Sequence, residues 1–214
     1  MTRRGDVANY VYGATGIATV GALLYGSLPD WPMERSILWS KATGWVAIGA
    51  LALALCASPV GAALGWWRRR SFAATTAEAR RALGIASAVI AIIHLTIGLT
   101  GVLAGELERV LTIAWVRAGA GAVAILLPLV VTSFPTAVRV LRVRLWKPLH
   151  RLAYVAGVLA VQHALLAPMS DGRWVIALAA VVLAIAPLRL LRRRPRSADR
   201  DAVPGEQPMG DLVD

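Results

Sequence analysis

Long apolar runs, broken by short stretches rich in arginine and proline, set the rhythm of this chain. A helix that crosses hydrocarbon needs about 20 mostly apolar residues. Six stretches meet that length, at about 7–28, 36–59, 82–103, 114–134, 148–168 and 174–191. Proline and charge mark their borders, at Pro29, Pro32, Pro59, Pro135, Pro148 and Pro168. Pro148 fits the first turn of a helix, where its missing N–H is not needed. The first run lacks a clear small-residue cleavage site and reads as a retained span. Beyond Arg196 the chain turns polar, with Pro204 and Pro208, so residues 197–214 are expected to form a disordered tail. The expected fold is all-α, a polytopic bundle of six transmembrane helices within residues 1–196.

Composition supports lipid as the solvent. Apolar residues make up 57% of the 214, charged residues only 16%, and the mean hydropathy is +0.62. Soluble domains carry about 25% charged residues, and a water-exposed fold could not cover so much apolar surface with so few. The net charge of +11 raises nucleic acid as a partner. The distribution of the charges argues against it. With the N-terminus in the cytoplasm, 18 of the 23 Lys and Arg fall in cytoplasmic segments and 5 in outer ones. Basic residues favour cytoplasmic flanks, so both termini are expected inside. Asp30, Glu34, Glu106, Glu108 and Asp171 balance the five outer bases, so the outer loops are close to neutral.

No loop is long enough for a soluble catalytic domain, and no Gly-rich phosphate motif, CxxC or Ser/His/Asp arrangement is evident. The single cysteine, Cys56, can form no intrachain disulfide and reads as a small core residue. Chemistry must therefore lie inside the bundle or with partners. Ionisable groups within a span are costly and mark candidate sites. The three histidines, His94, His150 and His163, all lie in or at the edge of spans. At 1.5 Å per residue, His94 stands roughly 20 Å along the third span and His163 roughly 24 Å along the fifth. Both spans run outward, so the two imidazoles reach one level in the outer half of the bilayer. One imidazole from each of two helices is what bis-histidine ligation of a haem iron requires. One turn away on the same faces stand Ala91 and Gly98 beside His94, and Ala160 and Ala167 beside His163. Small residues there leave room for a porphyrin, although close helix packing in membranes uses them too.

His150 lies roughly 20 Å below His163 and, at 100° per residue, points about 140° away from it. It could serve a second, inner haem or a flavin or quinone site, or be an interfacial histidine beside Trp146 and Arg151. Arg117 could pair a haem propionate or snorkel to the outer interface. Arg80, Arg81 and Arg151 could hold propionates or a flavin phosphate on the inside, or act as topology signals. Tyr154 and Gln162 are weaker hydrogen-bonding candidates.

Several blocks in order resemble the MsrQ/YedZ family, within the ferric-reductase-like transmembrane superfamily. These are ATGWVAIGALALALCASP (42–59), RRALG…IIH (80–94), VVTSF (130–134) and LWKPLHRLAYVAGVLAVQH (145–163). The resemblance implies a haem-binding subunit in the bacterial inner membrane, with His94, His150 and His163 as the haem-associated positions. It also implies electron transfer to a periplasmic molybdopterin-type reductase of methionine sulfoxide (MsrP-like). FMN is associated with the family, and a cytoplasmic flavin reductase or quinol would be the donor. The expected function is thus a b-type cytochrome with one haem, or two, and no complete active site of its own. Alternatives are a ferric or cupric reductase acting at the outer face, and a small transporter or scaffold without haem. No convincing internal repeat supports a transporter.

Overall fold

The structure is a computed structural model that describes residues 5–27, 32–63, 70–168 and 170–185. Its elements are α1 (Asp6–Gly26), α2 (Pro32–Ala63), α3 (Arg70–Ile97), α4 (Glu108–Thr112), α5 (Ala114–Val131), α6 (Pro135–Leu166) and α7 (Gly172–Ile185). No strand occurs among the described residues. A single turn of π-helix, Gly98–Val102, extends α3.

Among the described residues, five helices are long and apolar enough to cross a membrane, at 6–26, 35–61, 74–102, 114–131 and 144–166. Their outward faces carry large apolar residues such as Ile17, Leu53, Val89 and Val158. Lipid is the environment in which such faces cost nothing. The sixth expected span is represented by α7, whose 14 residues extend about 21 Å. Residues 186–191 of that span, the tail at 197–214, and Pro29, Arg68 and Arg69 lie outside the described residues.

Two expected borders are corrected. Pro59 lies inside α2, which continues to Ala63, and Pro148 lies inside α6, which starts at Pro135. In water an interior proline costs a helix about 3 kcal/mol. Without water to satisfy freed backbone groups, a continued helix remains the better conformation. Pro135, by contrast, does begin its helix, after Phe134 in extended geometry. Residues 135–147, which lie between the fourth and fifth expected spans, are therefore the first turns of α6. Only Thr132–Phe134 separate it from α5.

The helices pair locally, α2 with α3 and α5 with α6, while α1 lies on α2 and α3, and α7 touches α2 and α6. The core joins the two pairs through Ala47, Leu51, Ala88, Ala91, Leu126 and Ala156. Alanines at the crossings let the backbones approach closely, as membrane helix packing requires. Polar bonds then fix the register. The Ser87 hydroxyl donates to the Ala47 carbonyl at 2.9 Å from a fully buried site. Trp39 Nε1 donates to Leu23 O at 2.8 Å, and its ring lies where a Cβ on Gly26 would stand.

Candidate functional site

The α2/α3 and α5/α6 pairs enclose a cavity of about 220 Å³. His94 on α3 and His163 on α6 face each other across it, with ring centroids 5.7 Å apart and ring planes 80° apart. The similar depths expected from the sequence are thus brought into contact distance. Ala91, Gly98, Ala160 and Ala167, the small neighbours of the two histidines, all line this cavity.

Each imidazole has one nitrogen committed. His94 Nδ1 donates to the carbonyl of Ser40 on α2 at 2.7 Å, and His163 Nδ1 donates to the carbonyl of Trp115 on α5 at 2.8 Å. A carbonyl can only accept, so both protons sit on Nδ1. Nε2 of each ring is left with its lone pair, the form that binds a metal. The helix supplying each carbonyl carries a glycine against the ring. A Cβ on Gly44 would stand 3.1 Å from His94 Cε1, and one on Gly119 would stand 2.7 Å from His163 Nδ1.

The donor set discriminates among metals. Among the described residues no group of three or more His, Cys, Asp or Glu is placed to hold an ion. A bare zinc ion asks for three or four protein ligands. A haem iron already has four nitrogens in its plane and asks for two axial ones. A metal–imidazole bond is about 2 Å long, which puts two rings on a common iron at centroids roughly 6 Å apart. The 5.7 Å separation fits that requirement. The cavity is small against the roughly 300–1,000 Å³ of typical ligand clefts, so a macrocycle would fill it and reach past its open side.

His150 is elsewhere and differently held. It does not line the cavity. Its ring stacks on Trp146 one turn earlier, centroids 4.2 Å apart. Its Nε2 lies 3.1 Å from the Thr132 hydroxyl. That hydroxyl gives its own proton to the Pro128 carbonyl at 2.7 Å, so it accepts from Nε2. Trp146 Nε1 donates to Thr132 O at 3.0 Å and ties α6 back to the end of α5. Arg80 is close enough for its charge to act on His150, and its guanidinium donates to the Ser58 hydroxyl at 3.2 Å.

The remaining candidates scatter. Arg117 is exposed and donates to the Leu111 carbonyl at 3.0 Å, away from the cavity lining. The basic residue among those lining the cavity is Lys41, which the sequence did not single out. Arg81, Arg151 and Gln162 are exposed. Beside the cavity's rim, Asp171 is held below the usual carboxylate range by its hydrogen bonds from Arg173, with help from the charge of Lys41. Sequence reasoning did not single out Ser40, Trp115 or Gly119, and it quoted Gly44 and Thr132 only within the resemblance blocks, without a role. The carbonyls carry no side-chain signal, and glycine is too common in membrane helices to stand out.

An all-helical, multi-pass membrane protein with two imidazoles facing across a cavity between helix pairs is the class defined by this fold and site. The family described as ferric reductase like transmembrane component matches residues 43–161, more than half of the chain, and the chain belongs to it. The matched region includes His94 and His150, and His163 follows shortly after it. The chain is 35% identical over 144 residues to the protein-methionine-sulfoxide reductase heme-binding subunit MsrQ of Deinococcus radiodurans, covering 65% of this chain and 66% of that protein. It is 31% identical over 143 residues to the protein of the same name from Azospira oryzae, covering 59% of this chain and 58% of that one. The chain thus spans slightly less than two thirds of the curated relatives it matches. The resemblance read from the sequence blocks is borne out by these matches.

Proposed function

We propose that this chain is the haem-binding membrane subunit of a methionine sulfoxide reductase system and carries electrons across the bilayer. The observation that carries the reading is the imidazole pair: 5.7 Å between centroids, both Nδ1 protons spent on carbonyls, both Nε2 lone pairs free. A haem b bound there supplies a one-electron iron couple. The protein's part is to hold the iron by His94 and His163 and to tune it by burial and hydrogen bonding. Apolar side chains around the site keep water away, and Lys41 is the residue to meet a propionate. The basic-residue distribution puts this pair toward the outer leaflet, facing a periplasmic MsrP-like reductase. His150, with Trp146, Thr132 and Arg80, is the region where electrons arrive from a quinol or a cytoplasmic flavin reductase carrying FMN. One haem is the favoured count, because His150 has given Nε2 to Thr132 and no second imidazole faces it among the described residues. The wider family name keeps direct reduction of ferric ions at the outer face as the second reading.

The test is a dithionite-reduced minus oxidised spectrum of the purified protein, with haem counted as its pyridine haemochrome. A b-type spectrum at about one haem per chain, lost on His94→Ala or His163→Ala while the chain stays folded, is the expected result. A folded, colourless protein from haem-replete cells would reject the reading. Reoxidation by a periplasmic reductase, and not by ferric citrate alone, separates the two acceptors.

A further inference from the structure

The two histidine contacts share one construction. Ser40 and Gly44 are four residues apart on α2, and Trp115 and Gly119 are four apart on α5. In an α-helix the carbonyl of residue i faces the N–H of residue i+4. Every Cα–Cβ bond leans toward the helix N-terminus. A side chain at i+4 therefore leans toward the carbonyl of residue i and crowds a ring donor coming from the side, although a small hydroxyl can pass, as Ser87 does to Ala47 O beside Leu51. In both helices that position is glycine, and an imidazole from the neighbouring helix occupies the opening.

We propose that Gly119 is a positioning residue that opens the Trp115 carbonyl to His163 Nδ1 and so fixes the tautomer and donor strength of that ring, with Gly44 its roomier counterpart between Ser40 O and His94. The redox consequence rests on the haem reading above; the tautomer does not. A proton shared with a carbonyl enriches the ring and makes Nε2 a stronger ligand. That favours ferric over ferrous iron, so losing the bond moves the midpoint potential upward.

The distances make the two positions unequal. A Cβ at Gly119 would lie 2.7 Å from His163 Nδ1, 3.0 Å from Cε1 and 3.1 Å from Cγ. Ordinary contact begins at about 3.5 Å, so the ring must retreat by nearly 1 Å. The 2.8 Å bond to Trp115 O then exceeds hydrogen-bonding range. At Gly44 the nearest atoms lie at 3.1 and 3.2 Å. A retreat of about 0.4 Å to reach van der Waals contact leaves the bond to Ser40 O, now 2.7 Å, within range. The Ser40 hydroxyl, 3.5 Å from the same nitrogen, is a nearby second acceptor. Gly49 is the control on α2, since a Cβ there meets nothing within 4 Å. Gly121 is the control on α5, with only Leu159 Cδ1 at 3.5 Å.

The experiment compares the full-length wild type with Gly119→Ala, Gly44→Ala, Gly49→Ala and Gly121→Ala. Histidine labelled with ¹⁵N in the haem-free protein reports the tautomer; haem content and midpoint potential are read on the loaded protein. Nδ1-protonated His94 and His163 are expected in the wild type and both controls. Gly119→Ala should lose that signature at His163 only. Its haem affinity should fall about 10–100-fold, the usual loss when a ligand's outer partner goes, and its residual haem should titrate at higher potential. Gly44→Ala should keep the tautomer and most of the haem. An unchanged tautomer and potential in Gly119→Ala, or equal effects from the controls, would overturn the proposal. Nε2-protonated histidines in the wild type would overturn it even if Gly119→Ala does not fold. A wild type that takes up no haem, yet keeps a Gly119-dependent tautomer, would remove the haem reading and leave the carbonyl clamp standing.

Discussion

His163 and His150 sit on one helix, thirteen residues apart, and use their nitrogens in opposite ways. His163 gives Nδ1 to a carbonyl of α5 and keeps Nε2 without a hydrogen bond, its ring 5.7 Å from that of His94. His150 gives Nε2 to the Thr132 hydroxyl and lays its ring on Trp146. Around His163 the helices are lined largely with glycine and alanine, with the Trp115 indole tilted at 5.5 Å; around His150 stand a stacked indole, a hydroxyl and a guanidinium. A histidine in a membrane is thus not a ligand by its depth alone. The acceptor that its other nitrogen finds decides which face is offered to a metal.

The largest expected difference between the two regions is in haem content. His94→Ala or His163→Ala should abolish the b-type spectrum, whereas His150→Ala should keep it and slow reduction by quinol or a flavin reductase. Stopped-flow reduction of the bound chromophore measures the second effect. Equal haem loss from all three variants would erase the distinction drawn here. Next in size is Ala91→Leu, which fills the cavity from α3. Overpacking costs about 1–3 kcal/mol, and haem occupancy should fall several-fold, read by pyridine haemochrome, in a protein that remains helical by circular dichroism. Thr132→Val comes third. Losing that hydroxyl's bonds costs about 1 kcal/mol, measured by thermal unfolding in detergent. Because Nε2 of His150 loses its acceptor, reduction kinetics should change while the oxidised spectrum does not.

The smallest effect concerns Asp171. Its folded pKa lies below the ordinary carboxylate range because Arg173 bonds the carboxylate. A depressed carboxyl stabilises the fold above its unfolded pKa and loses that contribution as pH falls through the folded value. Asp171→Asn should therefore be slightly less stable than the wild type near neutral pH. The difference should fade as pH drops below about 4, where the wild-type carboxyl takes up its proton. Arg173 is largely exposed and Asp171 partly so, so the difference between the melting curves stays small at every pH.

The spans were legible because hydrocarbon imposes length and apolarity on any crossing helix. Five of the six expected stretches correspond to helices of that kind. Their ends were less legible. Pro59 and Pro148 looked like stops, yet both helices run through them. Proline's cost depends on what else can satisfy the backbone, and that is set by surroundings and not by sequence. The four small residues beside His94 and His163 were also readable from helical spacing, and all four line the cavity. Lys41 was passed over for Arg117, because both look alike as basic residues near a span end. Only side-chain direction separates them.

By itself, the sequence determined that this chain is helical, apolar and membrane-crossing, and that two imidazoles stand at one height. Periodicity and hydropathy act along a single helix, and they are written residue by residue. The tertiary structure decided which carbonyl each ring finds, which glycine admits it, and that the third histidine turns the other way. Those outcomes depend on how neighbouring helices approach, and backbone acceptors on another helix leave no mark in the order of side chains.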